Sequence, residues 1–510
     1  MPRSRPNPRS RGPLRSLLIS GAGLAAVFAF GSFGEFATPA KAQIAVINQG
    51  YVPYSEAPIF YRTAPLHDPV TALQKKIATG EAKLTWEPQH GYLRSVLKLL
   101  DIPISSQTLV FSKTSFQAAL INPEHPRALY YNDDVYVGSV HGGKAIEIVS
   151  FDPNQGAVFY LVDEPKVEKA EFQRAELDCT QCHIAAGTRG IPGVLLRSVH
   201  TQQTGVLNGR TPSYITDQKS PLSQRWGGWY VGGELAKGTM ANLALAPSAT
   251  PVTPVSTAGA APAAPQLVAL EKTLDSAAYL QGTGDGVAML VLGHQAQMHN
   301  LITLTNYQTR LALHDLAKAD GKTEWSGPAP ALESLPEKQQ EQIRKPAEQL
   351  LRYLLFSNET PLGGLDAKKV IAESAFAREF PPRGVRDSKK RSLRDFDLHD
   401  RTFRYPLSYL IYNVAFDTIP EPAKGYIYHR LLQVLTGEDQ SPDFANLSAQ
   451  DRKAILSILL ETKPGLPAEW AAYGRAHGLR VAKAQQASLT TTDGPSARPL
   501  PGQRQTAKGT

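Results

Sequence analysis

The stretch Cys179-Thr180-Gln181-Cys182-His183 decides how this chain is interpreted, because it holds the two cysteines of a 510-residue sequence. With the cysteines only three positions apart, a disulfide framework between distant segments is impossible. Packing must therefore stabilise the fold. On a single helical turn, Cys179 and Cys182 lie on one side with the His183 imidazole next to them. The stretch is the strongest candidate for a functional site in the sequence.

The C-x-x-C-H pattern is typical of covalent haem attachment. Each thiol can add to one haem vinyl group, and the adjacent imidazole then binds iron from the proximal side. Two alternatives are weaker: a thioredoxin-like redox pair needs a βαβ context, and a zinc site needs further ligands, yet no second cysteine pair exists. The single motif predicts one covalent haem c, held by Cys179, Cys182 and His183, and Gly190-Ile191-Pro192-Gly193 resembles the loop that supports the proximal histidine in small cytochromes c.

The residue at the sixth iron position decides the function, and the sequence leaves it open. Met240 lies in a glycine-flanked loop, as does the distal methionine of small class I cytochromes c. His294 shares a helix face with Met298, whereas His299 points elsewhere. A third possibility is an open position, which permits chemistry on small ligands. The candidate metal ligands are therefore His183, Met240 and His294.

Two further stretches are unusual. In Gln224 to Tyr230, Arg225 could pair with a haem propionate and Trp226 could pack on the porphyrin edge. The alternative is a tight turn fixed by aromatic packing. Between Arg383 and Arg404, arginines alternate with aspartates, which favours a solvated surface with salt bridges over a binding patch.

The rest of the sequence predicts a mainly α protein with a mixed α/β N-terminal region, and a cytochrome c-like haem segment embedded in a larger helical body. The predicted divisions are a signal peptide (1–42), a mixed α/β region (43–175), the haem-attachment segment (176–245), an Ala/Pro-rich linker (246–266), a helical region (267–480) and a disordered tail (481–510). Hydrophobic periodicity predicts helices over 70–83, 92–100, 287–316, 336–356, 408–414, 423–435 and 451–462, and strands over 108–112, 135–140, 146–151 and 157–162.

The N-terminus resembles a secretory signal. Five arginines precede an apolar run from Leu17 to Phe30, and Ala40-Lys41-Ala42 supplies the small residues of a cleavage site. The alternative, a membrane anchor, is disfavoured because the run is short and is broken by Gly21 and Gly23. The sequence predicts a periplasmic or secreted protein without a stable membrane span after cleavage.

The basic net charge of +8 lies at the two ends of the chain. Residues 1–42 carry a net charge of +5 and residues 481–510 carry +3, which accounts for all of it. Residues 43–480 are therefore neutral overall, and a nucleic-acid partner is not expected.

Longer segments resemble an uncharacterised family of exported bacterial cytochrome c-type proteins with a single CxxCH motif. The resemblance implies haem binding and electron transfer, and nothing sharper. This chain departs from the family pattern because Gly232 to Thr239 lacks a histidine before Met240, and the 246–266 stretch is an insertion. Besides the haem motif, the matching segments are Ile104–Ser115, Pro126–Gly138, Arg225–Val231, His294–Tyr307, Arg391–Phe396 and Phe403–Tyr412.

Three functional hypotheses follow. The first is an exported monohaem cytochrome that exchanges single electrons with redox partner proteins, after a haem attachment machinery has loaded it. The second is a haem-dependent oxidoreductase, peroxidase- or oxygenase-like, with an open or weakly ligated sixth position. The third is a haem-based sensor or scaffold. The protein is much larger than electron transfer requires, and this supports keeping the second hypothesis.

Overall fold

Short segments in which apolar residues alternate along the sequence pair as the strands of one antiparallel sheet. The computed structural model describes residues 52–209, 211–242, 244–245 and 273–482, so the predicted export signal, the 246–266 linker and all but the first two residues of the predicted tail lie outside it. The strands are β1 (Thr108–Val110), β2 (Arg127–Tyr131), β3 (Val135–Val140), β4 (Ala145–Asp152), β5 (Gly156–Asp163), β6 (Gln173–Arg174), β7 (Leu196–Val199), β8 (Thr201–Gln202), β9 (Ser213–Thr216), β10 (Trp229–Tyr230) and β11 (Ala244–Leu245). Seven of these strands pair in the order β10-β1-β2-β3-β4-β5-β6. A short antiparallel pair, β7 with β9, and a parallel pair, β8 with β11, lie outside this sheet.

Along the sequence, helices lie before the first strand of the sheet, between its strands and after its last strand. Several begin at a side-chain cap; the Asp285 carboxylate, for example, accepts the amides of Val287 and Ala288. The helices are α1 (Pro69–Ala78), α2 (Leu93–Leu99), α3 (Glu176–His183), α4 (Gly286–Ala319), α5 (Glu337–Leu354), α6 (Ala367–Glu373), α7 (Ala375–Glu379), α8 (Val414–Asp417), α9 (Glu421–Thr436), α10 (Ala449–Thr462) and α11 (Ala468–Ala476).

The sheet buries both of its faces. On one face Tyr130 and Ile148 pack in a cluster with the apolar residues of α1 and α2. On the opposite face Tyr136, Phe151 and Phe159 pack in the main core with α4, α5, α9 and α10. Because successive side chains of a strand point to opposite faces, the alternating apolar pattern produces these three layers.

Helix α4 is the axis of the main core. It is 34 residues long and is buried along most of its length, polar side chains included. A helix buried all round must satisfy its polar side chains inside the protein. Asn300 does so through hydrogen bonds to the backbone of Val194, and His294 through a hydrogen bond to Gln218.

The prediction of a mixed α/β N-terminal region followed by helices is confirmed. The predicted helix at 408–414 is wrong: Ser408 caps a 3-10 turn over Tyr409–Tyr412, and Asn413 then caps the separate helix α8. The sheet also includes chain beyond residue 175, because β10 pairs with β1. Among the described residues, none of the helices is both long and apolar enough to cross a membrane.

Candidate haem-attachment site

The motif occupies helix α3, which packs on the main-core face of the sheet at β5. Phe159 connects the two elements, since its carbonyl accepts the amide of Ala175 at 3.0 Å and its ring lies 5.0 Å from the His183 ring, centroid to centroid. An ion pair of 2.7 Å between Arg62 and Glu176 holds the start of the helix. The helix is therefore fixed at both ends although it is only eight residues long.

The two cysteines differ in environment. Cys179 is half-buried and packs against the main core, whereas Cys182 is exposed, and neither forms a disulfide. Burial, reinforced by the Glu147 and Asp178 carboxylates, raises the pKa of Cys179 to about 11. Neither sulfur has a covalent partner: the Cys182 sulfur is at the protein surface and the Cys179 sulfur lies against the sheet.

The His183 ring has one nitrogen bound and one free. Its Nδ1 lies 2.8 Å from the Gly193 carbonyl oxygen, while Nε2 has no hydrogen-bond partner in the described part of the chain. The Gly193 amide in turn donates to the His183 carbonyl at 3.1 Å. Burial lowers the pKa of His183, although the Gly193 hydrogen bond opposes this effect. The imidazole is thus neutral at neutral pH, with its proton on Nδ1.

Asn300 of helix α4 fixes the loop that carries Gly193. Its Oδ1 accepts the Val194 amide at 3.1 Å, and its Nδ2 donates to the Val194 carbonyl at 2.7 Å. A methyl group at Gly193 would clash with Asn300 Oδ1, so only glycine lets the loop approach the helix this closely. The loop expected to support His183 therefore contacts it, and the central helix holds that loop in place.

A guanidinium whose charge acts on the motif belongs to Arg127 of β2, which the sequence analysis missed. Arg127 pairs with Glu147 of β4 on the face that carries α3, and its charge contributes to the lowered pKa of His183. Its Nε is buried, and no hydrogen-bond partner for it lies within the part of the chain that the structure describes. The guanidinium lies against Gly138 of the neighbouring strand β3, where a Cβ atom would collide with it. Arg127 begins a strand whose remaining residues are apolar, and that strand takes its place through pairing with β1 and β3, so no local pattern pointed to Arg127.

Arg225 and Trp226 lie in a buried turn. The Arg225 Nε donates to the Ser220 carbonyl at 2.8 Å, and one terminal nitrogen donates to the Gln218 carbonyl at 2.8 Å. Trp226 is fully buried in the main core, with a φ of 66° and an indole N–H that lacks a partner. These contacts fit the alternative of a turn fixed by aromatic packing, and they use two of the donors that a propionate would need.

Met240 is buried beside β7. Its amide donates to the Arg225 carbonyl at 2.9 Å, and its sulfur accepts the Ser198 hydroxyl at 3.9 Å. Its terminal methyl packs so closely on Gly227 that a side chain there would contact it. Met240 thus fills a gap in the protein core.

Both histidines of helix α4 that were considered as ligands have protein partners. His294 Nδ1 lies 2.5 Å from Gln218 Oε1 and its Nε2 lies 2.7 Å from Ser408 Oγ, while its ring stacks on Phe356. His299 Nε2 lies 2.8 Å from the Asp133 carbonyl oxygen, and its Nδ1 is buried without a partner. Burial lowers the pKa to about 3 for His294 and about 4 for His299. Binding iron through His294 would require breaking an existing hydrogen bond.

Comparison gives no match. No protein-family model, curated protein or solved structure is significantly similar to this chain. Within the described ranges, groups of three or more His, Cys, Asp or Glu side chains able to hold a metal ion are absent.

Proposed function

We propose that this protein is an exported c-type cytochrome that binds one covalent haem c through Cys179, Cys182 and His183 and transfers electrons. The observation that supports this most is the arrangement of His183. Its Nδ1 is held by the Gly193 carbonyl, the described residues give its Nε2 no partner, and two unpaired cysteines lie beside it. A ligating histidine typically donates its second ring N–H to a carbonyl or carboxylate in this way.

The surrounding residues prepare the imidazole to bind a metal. The Gly193 hydrogen bond selects the tautomer with its lone pair on Nε2, and burial keeps the ring neutral. Phe159 and the Asn300-anchored loop limit rotation of the ring. When bound, haem c supplies an iron centre that exchanges single electrons. The residues of this chain hold and orient that group.

Two exposed apolar side chains are the ones we assign to contact with a porphyrin. Leu177, on the motif helix itself, is 65% exposed, and Phe116, in the loop that bonds to Glu147 through Ser115, is 64% exposed. Arg127 is the arginine we assign to a haem propionate in place of Arg225, and a propionate there would share the guanidinium with Glu147, its present ion-pair partner.

A second candidate function, a peroxidase- or oxygenase-like haem oxidoreductase, is favoured by the contacts of the predicted distal ligands. Both ring nitrogens of His294 are hydrogen-bonded, and the Met240 sulfur packs against Ser198 and Gly227. If these contacts persist in the loaded protein, the sixth position has no strong protein ligand from either residue. A weakly held sixth position permits reactions with peroxide or oxygen.

Export to the periplasm or outside the cell is part of the proposal. It depends on the arginine-rich start and apolar run of residues 1–42, and on the fact that covalent attachment retains haem where it would otherwise be lost. The partners we propose are a haem attachment machinery and redox proteins. The absence of a net charge over residues 43–480 is consistent with protein partners and gives no reason to expect nucleic acid.

Spectroscopy of protein made together with a cytochrome c maturation apparatus tests the proposal. We expect a pyridine haemochrome spectrum of one haem per chain, which survives acid extraction, and its loss in the double variant Cys179→Ser/Cys182→Ser. The variant His183→Gln should lose the proximal ligand. Its matched control is His477→Gln, because His477 also contacts a backbone carbonyl through Nδ1 but lies at the end of α11, and this variant should keep the ligand. Colourless wild-type protein would refute the proposal.

The same preparation separates the two functions. A methionine–iron charge-transfer band in the far red indicates His/Met ligation and favours electron transfer. A high-spin ferric spectrum that changes on adding peroxide, or a ferrous spectrum that changes with carbon monoxide, favours the oxidoreductase.

A further inference from the structure

A cavity of about 290 Å³ lies on the face of the sheet that packs against α1 and α2. Leu93 of α2 and Ala128 and Tyr130 of β2 line it, and all three belong to the apolar cluster on that face. The motif helix packs on the opposite face, so the cavity is separate from the proposed haem site. About 300 Å³ is the lower end of the range for small-ligand sites, so a ligand that fits here is small.

Glu164, which directly follows β5, is the charged side chain of this cavity. The other lining residues are apolar or polar without charge, apart from His90 and His141, which are charged only when protonated. Burial, reinforced by the Arg94 charge, lowers the pKa of His90, so its ring is neutral at neutral pH and above. Among the described residues that line the cavity there is neither lysine nor arginine. The lining therefore carries a negative charge and lacks a permanent positive one.

The Glu164 carboxylate has few partners. Its Oε1 accepts the Ser139 hydroxyl at 3.1 Å, whereas its Oε2 is buried and receives no hydrogen bond from the described part of the chain. Burial, reinforced by the Glu147 carboxylate, raises the pKa of Glu164 to about 7, although the Ser139 hydrogen bond opposes this effect. A buried carboxylate oxygen without a donor is costly, and a cationic N–H donor would offset that cost.

Two aromatic side chains of the lining are partly exposed, those of Trp86 and Tyr279. The Trp86 indole N–H donates to the Glu164 backbone carbonyl at 3.1 Å, which fixes the ring next to this residue. The Lys166 ammonium lies 5.8 Å from the centre of the Trp86 ring, but Lys166 does not line the cavity. Aromatic rings accept both flat apolar groups and cations. Trp86 and Tyr279 therefore suit a ligand with a flat apolar body beside its charge.

We propose that this cavity binds a small organic cation with a flat apolar body, its charged nitrogen on the Glu164 carboxylate and its body against Trp86 and Tyr279. An anion would instead meet the Glu164 charge without a lysine or arginine to receive it. The proposal does not depend on haem, because none of the residues that carry it belongs to the motif or to the loop that supports His183.

Calorimetric titration of the full-length protein at pH 8, where Glu164 is mostly ionised, tests the proposal. The probes are the cation benzamidine, its neutral isostere benzamide and the anion benzoate. We expect benzamidine to bind at one site and at least about tenfold more tightly than the other two probes, because a hydrogen bond between charged groups is lost with them. Absence of saturable benzamidine binding, or either other probe binding as tightly as benzamidine, would overturn the proposal.

Two variants locate the site. Glu164→Gln keeps an acceptor for the Ser139 hydroxyl but removes the charge, and should weaken benzamidine binding about tenfold or more while leaving benzamide unaffected. Ala278→Leu adds bulk to the cavity wall and should weaken the binding of both probes. The control is Glu333→Gln, a change at an exposed glutamate in a 3-10 turn before α5. Benzamidine affinity in Glu164→Gln equal to that in the control would refute the assignment, and haem content measured in the same samples shows separately whether the haem proposal fails.

Discussion

Removing the Asn300 side chain tests how helix α4 positions His183, the proposed haem ligand. In Asn300→Ala the amide and the carbonyl of Val194, a residue that is 7% exposed, both lose their partner. Each buried backbone group left unsatisfied costs about 1–3 kcal/mol, so the expected fall in the free energy of unfolding is about 2–6 kcal/mol. A domain stable by about 5–15 kcal/mol tolerates the lower part of that range.

The consequence for function follows from the next residue along the chain. Gly193 carries the carbonyl that holds His183 Nδ1, and a loop released from Asn300 no longer keeps that carbonyl in place. We therefore expect less covalently bound haem per chain in Asn300→Ala. Urea unfolding followed by tryptophan fluorescence gives the stability, and the pyridine haemochrome assay gives the haem content.

Asn242→Ala is the matched control for this experiment. Asn242 binds the amide and the carbonyl of Val231 in the same two-bond pattern, at 3.1 and 2.9 Å, but does not contact the Gly193 loop. Because Asn242 also has a φ of 61°, which alanine disfavours, its replacement should destabilise the protein at least as much as Asn300→Ala and leave haem content unchanged. If the two variants lose haem equally, or if Asn300→Ala is destabilised by less than about 1 kcal/mol, the role given to Asn300 is wrong.

Three further predictions concern other parts of the molecule. Burial lowers the pKa of His294 to about 3 and of His299 to about 4, so below pH 6.5 the unfolded chain binds protons that the folded chain does not. The free energy of unfolding should therefore fall as the pH decreases from 6.5 towards 3. Urea titrations that give the same free energy of unfolding across this range would contradict the prediction. Gly193→Ala should destabilise the protein by about 1–3 kcal/mol through its clash with Asn300. Gly425→Ala, inside α9, where an added methyl would meet only the Glu421 carboxylate at 4.0 Å, should stabilise it by about 0.5–1 kcal/mol; equal effects in thermal unfolding would refute the clash. If the sixth position is open, Met240→Leu should change stability by less than about 1.5 kcal/mol and leave the haem spectrum unaltered, and loss of a far-red band would instead identify Met240 as the ligand.

Local patterns were enough to predict the main elements. The runs 135–140, 146–151 and 157–162 correspond to strands β3, β4 and β5, and the run 287–316 to helix α4, to within a few residues. Hydrophobic periodicity depends on neighbouring residues alone, so the sequence carries it directly. The strand Arg127–Tyr131 was missed, because its pairing with β1 and β3 and not its own pattern makes it a strand.

The sequence by itself determined that two thiols and an imidazole lie on one turn of helix, since their spacing is local. Only the tertiary structure decided which groups surround them. It placed Arg127 near the motif, directed Arg225 to the carbonyls of Gln218 and Ser220, and gave both nitrogens of His294 a partner. Each of these contacts joins the side chain to another element of the fold. A buried polar side chain must take whatever partner the packing brings to it, and residue type and spacing do not specify that partner.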